Sequence, residues 1–323
     1  MGSLPPSFVI AVFSQPVSSF PKWKARGINT LVSHEPEGGK MKKEDWEAAA
    51  AAAGFWFMDY PSDDDAMLAK EAKQPMRLAF MQDDEPDMTR APNTDRTNPD
   101  GWTKGEILAA RYARCKAAAP NIPMFVNFAG TAVTPEAYPG NKHLPYIAAA
   151  DWLAHDWYVK NKNWERYPVS LIGVAMDRLA AWSKGKPQYV FIECSDQKIS
   201  PLGRCPTPDE VEEEVNLAVA KGAKGIIYFP QKPPPGFQYD AMPPEILDRV
   251  LKINAKLAGT ASPAPIPTPA PTPAPPAQNE PKLSDVLTQV NTLTARLDAI
   301  SKDVENLKAR KYRVAIDVLA ADS

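Results

Sequence analysis

The chain has 323 residues, of which 24% are charged and 44% hydrophobic, and its formal net charge is −2. This composition fits a globular protein, and the small net charge gives no electrostatic reason to expect a nucleic acid partner. Three cysteines, Cys115, Cys194 and Cys205, are too few for a disulfide-built scaffold, and their spacing fits no zinc motif. The sequence does not decide whether Cys194 and Cys205 form a single disulfide.

The first residues, MGSLPPSFVIAVFS, lack a basic segment and carry too short an apolar run for a secretory signal. No apolar run in the chain reaches the ~18 residues that a membrane-spanning helix needs. The sequence therefore predicts no membrane span. If the protein acts outside a cell, we expect a removed signal, or export as part of a larger particle, to bring it there.

Short runs rich in β-branched and aromatic residues alternate with helical segments from residue 7 to about 260. Most of these runs are continuously apolar, as expected for parallel strands buried on both faces. The predicted strands are 8–14, 28–34, 55–60, 78–84, 123–129, 151–158, 189–195 and 225–231.

Helices are predicted between these strands from their periodicity and their start and stop signals. The predicted helices are 42–54, 103–119, 169–185, 207–223 and 243–259. Strands alternating with helices over 1–260 predict an α/β fold, and the strand count and length fit a (β/α)8 TIM barrel. The alternative is a doubly wound open sheet, which would usually carry a Gly-rich phosphate loop; Gly38-Gly39 lacks the rest of that fingerprint.

The composition changes after the predicted barrel. Residues 261–281 are rich in proline, alanine and threonine, which predicts an extended linker without a core. Over 282–311 apolar residues recur in alternating steps of three and four, which predicts a coiled-coil oligomerisation helix, with a trimer favoured over a dimer. An amphipathic helix packed on the barrel is the alternative. The alternating tail, 312–323, is predicted to form a short strand, which could dock, or a docking peptide.

Polar and aromatic residues follow most of the predicted strands, where the active site of such a barrel lies. Two carboxylates stand out in this set, Glu85 after the fourth strand and Glu193 after the seventh. A carboxylate beside buried apolar residues costs several kcal/mol unless it is paired or hydrogen-bonded. The structural alternatives are an ion pair of Glu193 with Lys198 or Arg204, and a helix N-terminus at Glu85.

The segments Asp84-Glu85-Pro86 and Ile192-Glu193-Cys194 resemble the motifs of a large superfamily of retaining glycoside hydrolases. These enzymes are (β/α)8 barrels in which strand four commonly ends Asn-Glu-Pro, with the Glu as acid/base, and strand seven ends in the nucleophilic Glu. The resemblance covers 7 to about 259, and its motifs are short. It implies Glu85 as the acid/base and Glu193 as the nucleophile, with their carboxyls about 5–5.5 Å apart. The chain departs from the pattern at Asp84, where the superfamily usually has Asn.

The carboxylates crowded around Glu85 fit this role. Like charges nearby raise the pKa of a carboxyl group and keep it protonated as a general acid near neutral pH. Glu193 has fewer acidic neighbours in the sequence, so we expect it to stay ionised.

Sugar binding needs flat apolar surfaces for C–H faces and polar groups for hydroxyls, and the strand ends offer both. Trp102 and Gln15 are further candidates for these two tasks. The predicted substrate-binding residues are Asp83, Asp84, His34, Asp59, Tyr60, Asn127, His155, Trp157, Tyr158 and Tyr228.

Other chemistries find less support. His34, His155, Asp59 and Asp83 do not occur at the H-x-H or H-E-x-x-H spacing of a metal site. Ser-His-Asp hydrolysis lacks a G-x-S-x-G segment, and no partner histidine marks Cys194 as a nucleophile. We therefore expect no metal and no other cofactor.

A barrel, a spacer and a coiled coil in one chain resemble the fibre and spike proteins of viruses and phages. This resemblance implies an extracellular or virion-associated protein that contacts other virion proteins through its C-terminus. The predicted function is cleavage of a polysaccharide or surface glycan by a retaining two-carboxylate mechanism. Display on a homo-oligomeric stalk would add avidity. The alternative is a non-catalytic glycan-binding or decoration head of a fibre.

Overall fold

A computed structural model describes residues 5–36, 40–99, 101–129, 143–234 and 236–259. The linker, the coiled coil and the tail that the sequence predicts at 261–281, 282–311 and 312–323 lie outside the described residues. Those three assignments, and the choice between a coiled coil and a helix packed on the barrel, stay predictions.

Parallel strands form a closed barrel in which each strand pairs with its neighbours in sequence, and the last strand pairs with the first. The predicted (β/α)8 barrel is therefore confirmed, and the doubly wound open sheet is wrong. The strands are β1 (Val9–Gln15), β2 (Thr30–His34), β3 (Trp56–Asp59), β4 (Arg77–Met81), β5 (Met124–Phe128), β6 (Trp152–His155), β7 (Gln188–Glu193) and β8 (Gly225–Phe229).

Helices pack around the barrel, and each long predicted helix is confirmed to within about three residues at each end. Four short helices were not predicted, because segments of five to seven residues are too short to show a helical period. Among the described residues the helices are α1 (Phe20–Ala25), α2 (Lys43–Ala52), α3 (Asp65–Glu71), α4 (Gly105–Ala118), α5 (Leu144–Ala148), α6 (Val159–Asn163), α7 (Leu171–Ser183), α8 (Pro208–Ala220) and α9 (Pro244–Leu257).

A capping box is present at the start of α8. The Thr207 hydroxyl accepts a hydrogen bond from the Glu210 backbone N–H, and the Glu210 carboxylate accepts one from the Thr207 backbone N–H. These two bonds satisfy backbone donors that the first helical turn would otherwise leave without partners.

The core has two layers, because successive side chains of a strand point to opposite faces. One set fills the barrel interior and includes Ala11, Phe125 and Phe191. The other set faces the helices and includes Val12 and Ile192. Each strand is thus buried on both sides, as its continuous apolar sequence predicts.

Gly225, the first residue of β8, lies where the backbone of β1 approaches closely. A Cβ atom at this position would lie 2.4 Å from the Val9 Cβ and 2.7 Å from the Val9 carbonyl oxygen. We therefore expect Gly225→Ala to lower the free energy of unfolding by about 1–3 kcal/mol, since overpacking forces the backbone to shift. Chemical denaturation checks this result, with Gly173→Ala as the control.

The control glycine tolerates a methyl group better. A Cβ at Gly173 would meet the ends of the flexible Leu217 and Lys221 side chains at 3.3 Å. Equal destabilisation by the two substitutions would contradict a specific close approach at Gly225.

Within the described ranges, no helix is both long enough and apolar enough to cross a membrane.

Candidate active site

The segment Asp83–Glu85 lies beyond the end of β4 rather than within it. The strand ends at Met81, three residues before the predicted end at 84, and β6 likewise ends at His155 rather than at 158. Glu85 has a φ of 45°, and its backbone N–H donates to the Asn127 carbonyl oxygen at 3.1 Å. The chain therefore turns at Glu85 over the end of β5, and among the described residues no helix begins there before α4.

Three carboxyl groups meet at the carboxyl ends of β4 to β6. The Asn127 side-chain amide donates one hydrogen bond to Asp84 at 3.0 Å and another to Asp156 at 2.9 Å. The Glu85 carboxyl group contacts that of Asp156. We call Asp84, Glu85 and Asp156 the acidic cluster.

Burial dominates the electrostatics of the acidic cluster. It raises the pKa of Asp84 to about 6, and it raises the pKa of Glu85 as well. Burial together with the charges of Glu85 and Asp84 raises the pKa of Asp156 well above its ordinary value. The Asn127 amide opposes these shifts, because its hydrogen bonds favour the ionised carboxylates.

A shared proton explains the contact between Glu85 and Asp156. The Asp156 side chain is buried, and its Oδ1 atom has no hydrogen-bond partner when both carboxyls are ionised. Two ionised carboxylates in contact would repel each other, whereas one proton held between them would replace this repulsion by a hydrogen bond. A pair that shares a proton would combine a protonated and an ionised carboxyl.

Two cavities adjoin the acidic cluster. The first, of about 450 Å³, we call the tryptophan cavity, and its walls include Glu85, Asp156, Trp102, Trp157 and Tyr158. The second, of about 500 Å³, we call the arginine cavity, and its walls include Tyr60, Asp83, Asp84, Arg90 and Arg96. A pair of carboxyls beside flat aromatic side chains in an open cavity suits a sugar ligand.

Glu193 lies away from these cavities. It ends β7 as predicted, but its side chain is 1% exposed and its oxygens accept hydrogen bonds from the start of α6. The donors are the Lys160 backbone N–H at 2.7 Å, and the Asn161 backbone N–H and side-chain amide, both at 2.8 Å. Glu193 is not among the described residues that line the tryptophan cavity.

Glu193 forms a second carboxyl pair with Glu214. The Glu214 side chain of α8 is fully buried and contacts the Glu193 carboxyl, and burial raises the pKa of Glu214 well above its ordinary value. A protonated Glu214 can donate to Glu193, which then has partners on all sides. The ion pairs considered from the sequence do not form, since Lys198 pairs with Asp196 at 2.5 Å and Arg204 with Glu210 at 2.7 Å.

His155 and Tyr228 do not reach the mouth of the barrel. His155 is fully buried and shares a strand face with Leu153, which packs among the helices, and burial lowers its pKa to about 4. Tyr228 is also fully buried, and its hydroxyl donates to the Asn254 side chain at 2.9 Å. The expectation that these two residues contact substrate is corrected, because the alternation of the strand turns both side chains outward.

The other predicted binding residues lie at the ends of the strands. The His34 Nδ1 lies 3.1 Å from the Asp59 Oδ1, and that contact raises the pKa of His34. Asp83 forms ion pairs of 2.6 Å with both Arg96 and Arg111.

Sequence reasoning missed Asp156, because the sixth predicted strand continued past it to residue 158. The available signal was a lone acidic residue within an aromatic run. Arg90, Arg96 and Glu214 were also missed. The two arginines belong to the long connection between β4 and α4, and Glu214 belongs to an acidic helix whose charged residues look alike in sequence.

The acidic cluster does not have the form of a metal site, since no group of three or more His, Cys, Asp or Glu side chains in the described portion of the chain is arranged to hold a metal ion. Cys115, Cys194 and Cys205 are free thiols, so the disulfide considered between Cys194 and Cys205 is absent from the structure.

No protein-family model matches the chain, and no curated protein matches it either. Solved structures do match. A β-galactosidase from Halorubrum lacusprofundi has a TM-score of 0.56 at 13% identity, over 77% of this chain and 58% of that one. A β-galactosidase from Marinomonas ef1 has a TM-score of 0.54 at 12% identity, over 79% and 61%. A GH5_18 variant from Streptomyces cattleya in complex with Manβ1-4GlcNAc has a TM-score of 0.54 at 13% identity, over 81% and 83%.

These likenesses establish the shared barrel fold. The chain spans about three fifths of the length of the two β-galactosidases that it matches. The class of protein that the fold defines is thus the (β/α)8 barrel, with an acidic cluster at the carboxyl ends of its strands.

The raised pKa values predict how stability depends on pH. A carboxyl whose pKa is higher in the folded than in the unfolded state binds more protons when folded, so stability falls as pH rises through the folded pKa. Asp84, Glu85, Asp156 and Glu214 all shift in this direction. We expect the melting temperature to be highest near pH ~5 and to fall toward pH ~8.

Glu210 explains why stability should also fall at acidic pH. Its hydrogen bonds with Arg204 and Thr207 lower its pKa to about 2 in the folded protein. Its stabilising contribution is lost as pH falls below its ordinary value of 4.5. Thermal melts across this pH range test the prediction, with Glu214→Gln expected to flatten the alkaline decline. Stability that rises steadily from mildly acidic to neutral pH would contradict it.

Proposed function

We propose that this barrel is a glycoside hydrolase-like enzyme that cleaves glycosidic bonds of a polysaccharide, and that the Glu85–Asp156 pair supplies the proton. The single observation that carries the proposal is this pair of carboxyls with raised pKa values, which lines a cavity together with Trp102, Trp157 and Tyr158. The glycosidases among the structures with the same fold are consistent with it, but they contribute the fold alone.

The pair can perform the first step of the cleavage. Glycosidic bond cleavage needs a carboxylic acid that protonates the leaving oxygen, and a negative charge that faces the positive sugar ring in the transition state. Glu85 is the more exposed member and is the proposed donor to the leaving oxygen. Asp156 holds the shared proton beside it, so that a protonated acid is available near neutral pH.

Glu193 as the nucleophile of a retaining mechanism stays a prediction. The carboxylate is enclosed by the start of α6 and by Glu214, and a nucleophile must instead reach the anomeric carbon of the sugar. The described contacts favour a structural role for Glu193, in which it anchors the segment that follows β6. Under this proposal the second carboxyl of the reaction belongs to the acidic cluster.

The same observation on Glu193 favours a second candidate function, a non-catalytic glycan-binding head. A barrel that uses its strand-seven carboxylate only for structure could keep the cavities for binding. Reducing-end release and binding, measured on one polysaccharide library, separate the two functions. Hydrolysis of at least one polymer supports the enzyme, whereas binding without hydrolysis across the library supports the binding head.

The assembly is a further proposal and rests on the sequence. We propose that residues 282–311 join several chains, with a trimer favoured, and that the oligomer is part of an extracellular or virion-associated fibre that contacts other virion proteins through 312–323. The unbroken heptad pattern supports the first part. Light scattering on the full chain tests it, and a monomeric mass would overturn it.

A further inference from the structure

The arginine cavity lies beside the acidic cluster and is lined by two arginines and two aspartates. Its volume is about 500 Å³, and its wall is formed largely by the connection between β4 and α4. Arg90 and Arg96 both line it, as do Asp83 and Asp84. The proton transfer proposed above uses neither arginine.

Arg90 is held in place by backbone carbonyl oxygens. Its guanidinium donates hydrogen bonds to the backbone carbonyl oxygens of Glu85 at 2.8 Å, Asp84 at 3.0 Å and Met88 at 3.4 Å. Carbonyl oxygens fix the orientation of a guanidinium but carry no net charge. Arg90 has no direct ion pair with a carboxylate among the described residues, although Asp84 and Glu85 lie close enough to interact with its charge.

Arg96 and Arg111 are bound to the same carboxylate, that of Asp83. Asp83 accepts a hydrogen bond from Arg96 at 2.6 Å and one from Arg111 at 2.6 Å. One negative charge thus faces two positive charges. The Arg111 side chain is 14% exposed, whereas that of Arg96 is 59% exposed, so Arg96 is the member of this group that a ligand can reach.

The backbone around Arg96 is ordered by threonines. The Arg96 backbone N–H donates to the Thr94 hydroxyl at 3.2 Å, and the Thr97 hydroxyl donates to the Ala91 carbonyl oxygen at 2.6 Å. These bonds, and the bridge between Thr97 and Thr103, fix the wall of the cavity before any ligand arrives. A wall that is already ordered loses less entropy on binding.

The placement of the charges on this wall, rather than their sum, favours an anion. Arg90 and Arg96 are both exposed and line the cavity, and of the two only Arg96 is in direct contact with a carboxylate of the described residues, which it shares with Arg111. Guanidinium groups bind carboxylate, sulfate and phosphate oxygens through parallel hydrogen bonds. A neutral sugar would leave Arg90 without a carboxylate, sulfate or phosphate in direct contact.

We propose that the arginine cavity binds an acidic sugar residue of the polysaccharide, with its anionic substituent against Arg90 and Arg96. The inference deepens the proposed function and rests on it only for the statement that this polymer is also the one cleaved. The candidate ligands have in common an anionic group on a sugar. A carboxylate, a sulfate and a phosphate are distinguished by the experiment.

The test measures binding and needs no turnover. Full-length protein carrying Glu85→Gln is titrated by calorimetry with three sets of acidic oligosaccharides, which carry hexuronate, sulfate or phosphate groups. Each set has a neutral counterpart in which the carboxyl is reduced or the ester is removed. We expect at least one acidic ligand to bind about tenfold more tightly than its neutral counterpart, because a hydrogen bond between charged groups is worth that much.

Arg96→Gln in the same background should weaken binding of that acidic ligand about tenfold and leave binding of the neutral counterpart unchanged. Arg166→Gln is the matched control, since Arg166 is an exposed arginine that packs over Tyr167. Equal affinity for all acidic and neutral pairs, or equal effects of the two arginine substitutions, would overturn the inference. Tight binding of an acidic glycan that the wild-type protein does not cleave would overturn the proposed function instead.

Discussion

Glu85→Gln is expected to lower kcat on a cleaved glycan by about 10²–10⁴-fold, because the glutamine amide has no proton to give to the leaving oxygen. The substitution keeps the size of the side chain and the backbone contact between the Glu85 N–H and the Asn127 carbonyl oxygen. The melting temperature should therefore change little or rise, since a like charge beside Asp156 is removed. Reducing-end release under saturating substrate measures the effect.

Glu165→Gln serves as the matched control for this prediction, because Glu165 is exposed and is not among the described residues that line either cavity. A substrate with a leaving group that needs no protonation, such as a nitrophenyl glycoside, should recover much of the lost rate in the Glu85 variant. Wild-type kcat in Glu85→Gln on the natural polymer would contradict the assignment.

Glu193→Ala is expected to lower the free energy of unfolding by about 3–5 kcal/mol, the cost typical of removing one partner from a buried charged network. The change would leave the Lys160 and Asn161 backbone N–H groups and the Asn161 side-chain amide without their acceptor. It would also leave Glu214 buried without the carboxylate that accepts its hydrogen bond. Urea unfolding measures the loss.

Glu213→Ala on the exposed side of α8 is the control, and its effect should stay within about 0.5 kcal/mol. The experiment also tests the role implied by the resemblance to retaining enzymes. If Glu193→Gln abolished hydrolysis while unfolding stayed as in the wild type, Glu193 would be the nucleophile and its structural role would be wrong.

Much of the fold could be predicted because parallel strands buried on both faces leave a strong signal. Continuous apolar runs such as 189–195 and 225–231 are typical of strands covered on both faces, and their alternation with helices defines the barrel. The short helix α6 gave no such signal, although it supplies the donors that bind Glu193.

The site was predicted only in part, because a strand end specifies a position but not a side-chain direction. Glu85 and Asn127 reach the mouth as expected, whereas His155 and Tyr228 point outward through the alternation of their strands. Glu193 ends its strand as predicted, yet tertiary contacts with α6 and α8 take up its oxygens. Such contacts join residues more than twenty positions apart and leave no local pattern.

The measurement that tests the central claim most directly is a ¹³C NMR titration of the Asp and Glu side-chain carboxyls in the full-length protein, with Asp156→Asn used for assignment. We predict that Glu85 and Asp156 titrate as a coupled pair, in two steps more than about one pKa unit apart, with the upper step well above the ordinary ~4 and absent from the Asp156 variant. Two independent titrations near pH ~4, unchanged in Glu85 when Asp156 is replaced, would contradict a shared proton and with it the proposed acid of the reaction.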